Sequence, residues 1–369
     1  MIYRMMPTSS STIVVTGGAG YIGRRVVERL ARRFSVASID KERPKSLPAG
    51  VEFFQADLTS DASVRTAFEA IGDRYGNRLA SCVHLAAHAD FSGEPSPLYQ
   101  QLTVDGTRRV LQALKGYHVE QFLFSSTVLL MKPAEDETEI ITESSPVDPA
   151  WDYPRSKVEA ASVIRQLQGE IPAVVLRIAG VYDDQCHSIP LAQQIVRIYE
   201  KKLDSYLFPG DPDHAQPYIH LDDLIDCIEH TIDHRLVLDK HEVFLIAERD
   251  LVSYAEAQEQ LGQLIHGKEW PAIRIPKVVA KAGAWIEDKL AGEKETFIKP
   301  WMVDLADDHY PIAIDRANQR LEWAPNHQLR DTFSPMIGYL KKNPAAWYKE
   351  NGIPAPKHWP EEELREGAA

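Results

Sequence analysis

Short runs of β-branched and aliphatic residues alternate with longer stretches of helical period through the first half of this chain. Thr12–Val15, Val36–Ile39, Glu52–Gln55, Ser81–Leu85, Gln121–Phe124 and Val174–Arg177 read as strands. Helices fill the gaps, among them Val64 to Tyr75 and Leu98 to Leu114. Such alternation is the mark of parallel strands joined by crossover helices, and it predicts an α/β fold with a doubly wound parallel sheet.

Beyond about residue 180 the alternation gives way to loops around Pro190, Pro209, Pro212 and Pro217. Helical stretches then follow near 222–234, 253–265 and 276–290. The pattern divides the chain into a sheet-forming unit over residues 1–180, completed by about 216–247, and a smaller portion over 181–215 and 248–343 expected to lie over the sheet's edge. Residues 344–369 are proline-punctuated and charged and read as a wrapping or frayed tail. The segment from Pro276 to Leu290 is amphipathic, with mixed lysines and acids, and is expected to pack on the core rather than rest on a membrane. Trp270, Trp285 and Trp301 are expected to be packing residues.

Composition narrows the function classes. The 54 acidic residues outnumber the 41 basic ones for a net charge of −13, which argues against a nucleic-acid groove. Cys82, Cys186 and Cys227 lie far apart with no CxxC spacing, so neither a disulfide framework, nor a structural zinc site, nor any other metal is expected. The chain shows neither a signal-like start nor an apolar run of membrane-spanning length, and the expectation is a cytoplasmic protein. A small-molecule substrate is the expected partner, and a homodimer is compatible with the composition.

The first candidate chemistry directly follows the first strand. In Thr16-Gly17-Gly18-Ala19-Gly20-Tyr21-Ile22-Gly23, glycines stand between a strand and the helix-like run Arg24 to Leu30. Small residues there let the backbone approach a pyrophosphate, and the helix N-terminus offers amide donors and the positive end of its dipole. Asp40 ends the second strand, roughly 20 residues beyond the glycines, where a carboxylate accepts both ribose hydroxyls and repels a 2′-phosphate. NAD is thus favoured over NADP, although Lys41 and Arg43 nearby leave room for the latter.

The second candidate is Tyr153-Pro154-Arg155-Ser156-Lys157, a tyrosine and a lysine four apart on one face of a predicted helix. A free phenol has a pKa of about 10, and an ammonium held beside it favours the phenolate, bringing tyrosine toward a useful base. Upstream, Phe124-Ser125-Ser126-Thr127 ends the fifth strand at the carboxyl edge, where open α/β sheets bind ligands. A hydroxyl there can donate to a substrate oxygen as charge builds on it.

Taken with Asp57-Leu58, His84-Leu85-Ala86-Ala87, Val104-Asp105-Gly106-Thr107, Leu176 to Tyr182 and Tyr218 to Leu224, these motifs resemble an extended short-chain dehydrogenase/reductase of the NAD-dependent epimerase/dehydratase family. A weaker match near Leu321 to Pro325 extends it toward the C-terminus. The resemblance implies a Rossmann sheet and hydride chemistry with NAD. It implies Tyr153 as acid/base, Lys157 as ribose ligand and pKa modifier, and Thr127 as the hydroxyl that orients the substrate oxygen. Gly17, Gly20, Tyr21, Ile22, Gly23 and Asp40 would line the cofactor, with Asp57 and Leu58 near adenine and Ala86 and Ala87 along its length. His84, at a buried strand end, is expected to pack and hydrogen-bond rather than act as a base.

Departures from the family pattern narrow the substrate. Val128 and Leu129 follow Thr127 where related dehydratases carry an Asp-Glu pair, which disfavours 4,6-dehydration. Gly180 replaces an asparagine common in sugar-nucleotide relatives, Thr103 replaces another asparagine, and Leu130-Met131-Lys132 stands in place of Val-Tyr-Gly. The loop Tyr182 to Ser188 supplies Cys186 and His187 as candidates for a second proton transfer, and Ser126 joins them as a candidate substrate contact. The expected function is an NAD-dependent oxidoreductase or epimerase acting on a secondary alcohol or ketone, such as a sugar or nucleotide-sugar derivative. A dehydrogenase of lipophilic, sterol-like alcohols and a non-catalytic NAD-binding regulator are the alternatives.

Overall fold

A computed structural model describes residues 12–90, 93–136, 138–282, 300–356 and 359 of the chain. Seven strands form the central sheet: β1 (Thr12–Thr16), β2 (Ser35–Asp40), β3 (Val51–Gln55), β4 (Arg78–His84), β6 (Phe122–Thr127), β7 (Ala173–Ile178) and β11 (His241–Ile246). The two-residue β5 (His118–Val119) extends the pairing of β4. The order is β11-β7-β6-β4-β1-β2-β3, and every pairing is parallel. Helices cover both faces, so β1 is buried along its whole length and reads as an unbroken apolar run. The strand order reverses beside β1, and this switch point is where a doubly wound sheet opens a crevice at its carboxyl edge.

The crossover helices are α1 (Tyr21–Leu30), α2 (Asp61–Tyr75), α3 (Asp105–Leu114) and α4 (Asp152–Leu167). The second begins three residues earlier than its apolar period predicts, because Ser60 caps it by accepting from the Ser63 amide. The predicted helix from Leu98 to Leu114 opens with a π-helical turn over Tyr99–Val104 before continuing as α3. The fifth predicted strand runs on through Ser125 and Ser126 to Thr127, since β7 pairs with it along that whole stretch.

Later elements build a third apolar cluster beside the two that flank the sheet. It draws on α5 (Ile189–Tyr199), α7 (Tyr254–His266) and the helix Leu329–Lys342. Two short parallel pairs lie here: β8 (Gly180–Tyr182) with β10 (Tyr218–His220), and β9 (Leu207–Pro209) with β12 (Ile273–Ile275). A capping box of Ser253 and Glu256 starts α7, and Gly267 in the left-handed region ends it. Trp270 is buried, stacks on Tyr206 at 4.7 Å and donates to Ser205 Oγ at 2.9 Å. It packs as expected. Trp285 and most of the predicted helix 276–290 lie outside the described residues, as does the side chain of Trp301.

Toward the C-terminus the chain packs back on the third cluster. Pro344–Glu350 is a helix, and Trp347 and Tyr348 on it are fully buried against the third cluster. Two large aromatics remove more apolar surface from water than a frayed segment could forgo.

A row of ion pairs joins α1 to α6 (Leu221–Asp233). Arg25 meets Asp222, Arg29 meets Asp226 and Glu229, and Arg33 meets Glu229 and Asp233. Among the described residues no helix is long and apolar enough to cross a membrane.

Candidate active site

The glycine turn sits at the carboxyl end of β1. Gly17 has a φ of +73°, and its amide donates to the Ile39 carbonyl on β2 at 2.9 Å. A Cβ at Gly17 would lie 2.8 Å from the Ala86 amide nitrogen. One at Gly23 would lie 1.9 Å from the Gly17 carbonyl oxygen, so this glycine lets α1 close onto the turn. Asp40 braces the turn from β2: its carboxylate accepts from the Ala19 amide at 2.9 Å and from the Lys41 amide at 2.7 Å. Asp57 is tied to Thr59 by its amide and hydroxyl, which holds the Asp57 carboxyl below its ordinary range; Leu58 is buried beside it.

Under the crevice runs a closed chain of hydrogen bonds. Thr107 donates to the Thr103 carbonyl at 2.6 Å, so its oxygen accepts from His84 Nε2 at 3.0 Å. His84 Nδ1 is then an acceptor and takes the Thr16 hydroxyl at 2.6 Å. Burial, with the Lys157 charge, pushes His84 down to about 3, so the ring stays neutral. Its expected role as a packing and hydrogen-bonding residue follows from this geometry.

At the adjoining edge β6 delivers Ser125, Ser126 and Thr127, and α4 delivers Tyr153 and Lys157 one turn apart. Lys157 is buried, and its Nζ donates to the Ser125 carbonyl at 2.8 Å. The same ammonium lies 5.0 Å from the Phe124 ring centre and 5.8 Å from that of Tyr153. Burial pulls its pKa down to about 7. Burial likewise pushes the Tyr153 phenol up to about 12, a hydrogen bond with Thr127 pulling the other way and Tyr99 adding to the rise. The Leu129 amide donates to Thr127 Oγ1 at 3.2 Å, fixing that oxygen. Ser126 Oγ is buried with no partner among the described residues. The turn that follows, Val128–Leu130, is apolar and offers no acid or base.

Cys186 and His187 gather around Tyr21 at the start of α1. Tyr21 donates to Asp183 Oδ2 at 2.5 Å, and His187 Nδ1 meets the same carboxylate at 2.7 Å. Burial raises the Asp183 carboxyl, but these two hydrogen bonds outweigh it and hold the group below its ordinary value. Asn351, near the C-terminus, accepts from the His187 amide and donates to the Gln185 carbonyl. These contacts hold Cys186 and His187 at φ values of +87° and +44°. Cys186 is fully buried, and its thiol donates to the Ser188 carbonyl and is pushed up to about 12 by that burial. A locked thiol of this kind is poorly suited to proton transfer.

Sequence reasoning missed Asp183, Asn351 and Glu248, which accepts from Tyr182 at 2.5 Å and from the Leu329 amide at 2.8 Å. Their partners lie far off in the chain, and no local period marks them. Gly180 gains a physical account: a Cβ there would stand 3.0 Å from the Tyr218 ring, which fills the space of a side chain. Among the described residues His220, Asp222 and His327 bring three metal-type ligand atoms near one another. The two imidazoles stack at 4.0 Å and 16°, and Asp222 is engaged by Arg25. Parallel rings aim their lone pairs side by side rather than at a shared point, a poor geometry for a metal.

The sequence signature of the NAD dependent epimerase/dehydratase family matches residues 13–247. A UDP-glucose 4-epimerase of Streptomyces lividans is 27% identical over 239 residues, 59% of this chain and 70% of its own length. Short-chain dehydrogenase/reductase family 42E member 1 of Danio rerio is 27% identical over 234 residues, 58% of this chain and 57% of its own. Among solved structures, the UDP-glucose 4-epimerase of Thermotoga maritima with UDP-glucose superposes with a TM-score of 0.67 at 19% identity. That match covers 90% of this chain and 99% of the other.

Proposed function

Because this chain belongs to the NAD-dependent epimerase/dehydratase family, an enzyme family of the extended short-chain dehydrogenase/reductase type whose cofactor is NAD, we propose that it moves a hydride between that cofactor and the carbon of a secondary alcohol or ketone, with Tyr153 as acid/base. The observation that carries this reading is the meeting of the Tyr153 phenol with the Thr127 hydroxyl, while the buried Lys157 ammonium lies 5.8 Å from the tyrosine ring.

The residues present fit a dinucleotide. The turn from Gly17 to Gly23 keeps its backbone clear of side chains, and the N-terminus of α1 would hold the pyrophosphate. Asp40 retains lone pairs for ribose hydroxyls beyond the two amides it already accepts. Asp57 and Leu58 would border the adenine, Ala86 and Ala87 the length of the cofactor, and Lys157 the second ribose. When bound, NAD supplies the centre that accepts or returns the hydride.

The chain's own groups handle the proton. In the oxidative direction Tyr153, as phenolate, takes the alcohol proton while Thr127 donates to the same substrate oxygen; in the reductive direction Tyr153 gives the proton back. The Leu129 amide occupies a Thr127 oxygen lone pair rather than the hydroxyl hydrogen, which leaves that hydrogen for the Tyr153 phenol or, once substrate is bound, for its oxygen. A protonated Lys157 favours the phenolate, so the two groups titrate as a pair. The apolar turn after Thr127 disfavours elimination of water, which needs an acid and a base of its own. Residues 181–215 and 248–343 would close over the substrate.

The test is NADH formation over a panel of secondary alcohols and sugars, with Tyr153→Phe as the control. Activity should fall by about a hundredfold or more in that variant with NAD affinity retained. Unchanged turnover would refute the assigned base. Stereochemical interconversion without NADH accumulation would identify epimerisation, and accumulation would identify net oxidation.

A further inference from the structure

The loop after β8 reaches back toward the glycine turn. In the sheet β7 stands three places from β1, with β6 and β4 between them. Asp183 follows β7 by only five residues, yet its carboxylate accepts from Tyr21, the first residue of α1, at 2.5 Å. Val26, Val27 and Leu30 of α1 pack with Ile178 and Ala179 on one face of the sheet, whereas Ala160, Val163 and Ile164 of α4 pack on the other. The space above the carboxyl ends of β4 and β6, between the glycine turn and Thr127, is therefore bordered by α4 on one side and by residues 183–187 on the other.

The loop needs outside support to keep this course. Asp183 and Cys186 exchange backbone hydrogen bonds at 3.1 and 2.9 Å, closing a tight turn, and the chain leaves it through Cys186 and His187, both in the left-handed region. Two such residues in succession persist only where their surroundings over-determine them. Much of that support comes from one side chain. Asn351 Oδ1 accepts from the His187 amide at 2.7 Å, and its Nδ2 donates to the Gln185 carbonyl at 3.0 Å, so a single amide grips the turn at two points. The other Nδ2 hydrogen goes to the Trp347 carbonyl at 2.9 Å, and Asn351 is buried.

The far end of this grip is anchored independently. Asn351 closes the helix Pro344–Glu350, whose Trp347 and Tyr348 are buried in the third cluster. The Tyr348 phenol also donates to Glu200, at the end of α5, at 2.8 Å.

We propose that Asn351 is a positioning residue of the cofactor site: from the C-terminal helix it fastens the 183–187 loop beside Tyr21, and this strap slows release of the dinucleotide. Tyr21 is the link, because its phenol is held by Asp183 while its own position opens the helix whose N-terminus would receive the pyrophosphate. For the loop to lift away, the Asn351 hydrogen bonds must break first. This inference rests on the dinucleotide reading of the glycine turn above.

Release of NADH from the loaded protein, followed by loss of energy transfer from tryptophan on mixing with excess NAD, should be about tenfold or more faster in Asn351→Ala, with the association rate nearly unchanged. Ile71→Ala is the control: it empties a buried position of α2 on the opposite face from α1, and it should lower Tm while leaving the release rate at the wild-type value. Since linkage is reciprocal, NAD added to wild type should slow amide hydrogen exchange in peptides covering 344–353 as well as 183–188. Wild-type release in Asn351→Ala overturns the proposal, and so does equal acceleration in Ile71→Ala. If Asn351→Ala does not fold, exchange in 344–353 that is indifferent to NAD overturns it without any variant. Failure of wild type to bind NAD would remove the dinucleotide reading itself, and this inference with it.

Discussion

Lys157 Nζ donates to the Ser125 carbonyl at 2.8 Å, tying α4 to the strand that ends in Thr127. The bond orients an ammonium that has lost nearly all contact with water, and that loss makes its charge depend on pH.

The sign of the resulting stability change is determined. Burial lowers the folded-state pKa of Lys157 from 10.5 to about 7, so between those values the unfolded chain holds a proton that the folded chain has released. Stability therefore rises with pH across that window, and the penalty of burying the cation is fully present below it. Urea denaturation without cofactor should show the rise in wild type and a flatter curve in Lys157→Met. Parallel curves would place the lysine's titration outside this window.

Gly23→Ala should disable the cofactor site. The new methyl would stand 1.9 Å from the Gly17 carbonyl oxygen, which is backbone and cannot swing aside. Moving α1 off the turn should cost about 2 kcal/mol or more in stability. It should also abolish NAD binding, as read by calorimetry; NAD binding of wild-type strength would mean that the turn does not hold the pyrophosphate.

Asp183→Ala should loosen the loop that bears Cys186 and His187. It removes acceptors used by Tyr21, by the His187 ring and by the Gln185 amide. A loss of about 2 to 4 kcal/mol is expected from breaking charge-assisted bonds in a half-buried setting. Since Tyr21 begins the helix behind the glycine turn, NAD affinity should fall as well. An unchanged NAD Kd would separate this network from the cofactor crevice.

Trp347→Ala tests the C-terminal helix. The indole is fully buried in the third apolar cluster, and its removal should cost about 3 to 5 kcal/mol, read as a large fall in Tm. A Tm within a degree or two of wild type would favour a frayed segment over a wrapping one.

Much of the fold was legible because its signals are local. Unbroken apolar runs marked the buried parallel strands, the glycine turn and Asp40 marked the crevice, and the four-residue spacing of Tyr153 and Lys157 predicted a shared helix face that α4 supplies. What escaped depends on chain-distant pairing. Nothing near Asp183 announces Tyr21, 162 positions earlier, and nothing near Asn351 announces His187. The choice between a wrapping and a frayed tail stayed open in the sequence for a related reason: Trp347 and Tyr348 are two apolar residues among charges, and only the cluster they join reveals their inward direction. Cys186 was named for its chemistry, whereas burial governs its thiol.

The Thr16–His84–Thr107–Thr103 chain has a further effect on kinetics. Every donor in it faces one acceptor, so its hydrogens have a single arrangement and nothing in it ionises under conditions the folded protein would meet. The floor of the crevice thus acts as a fixed dipole array whose field does not drift with acidity. Neither limb of a pH–rate curve would then originate in this floor.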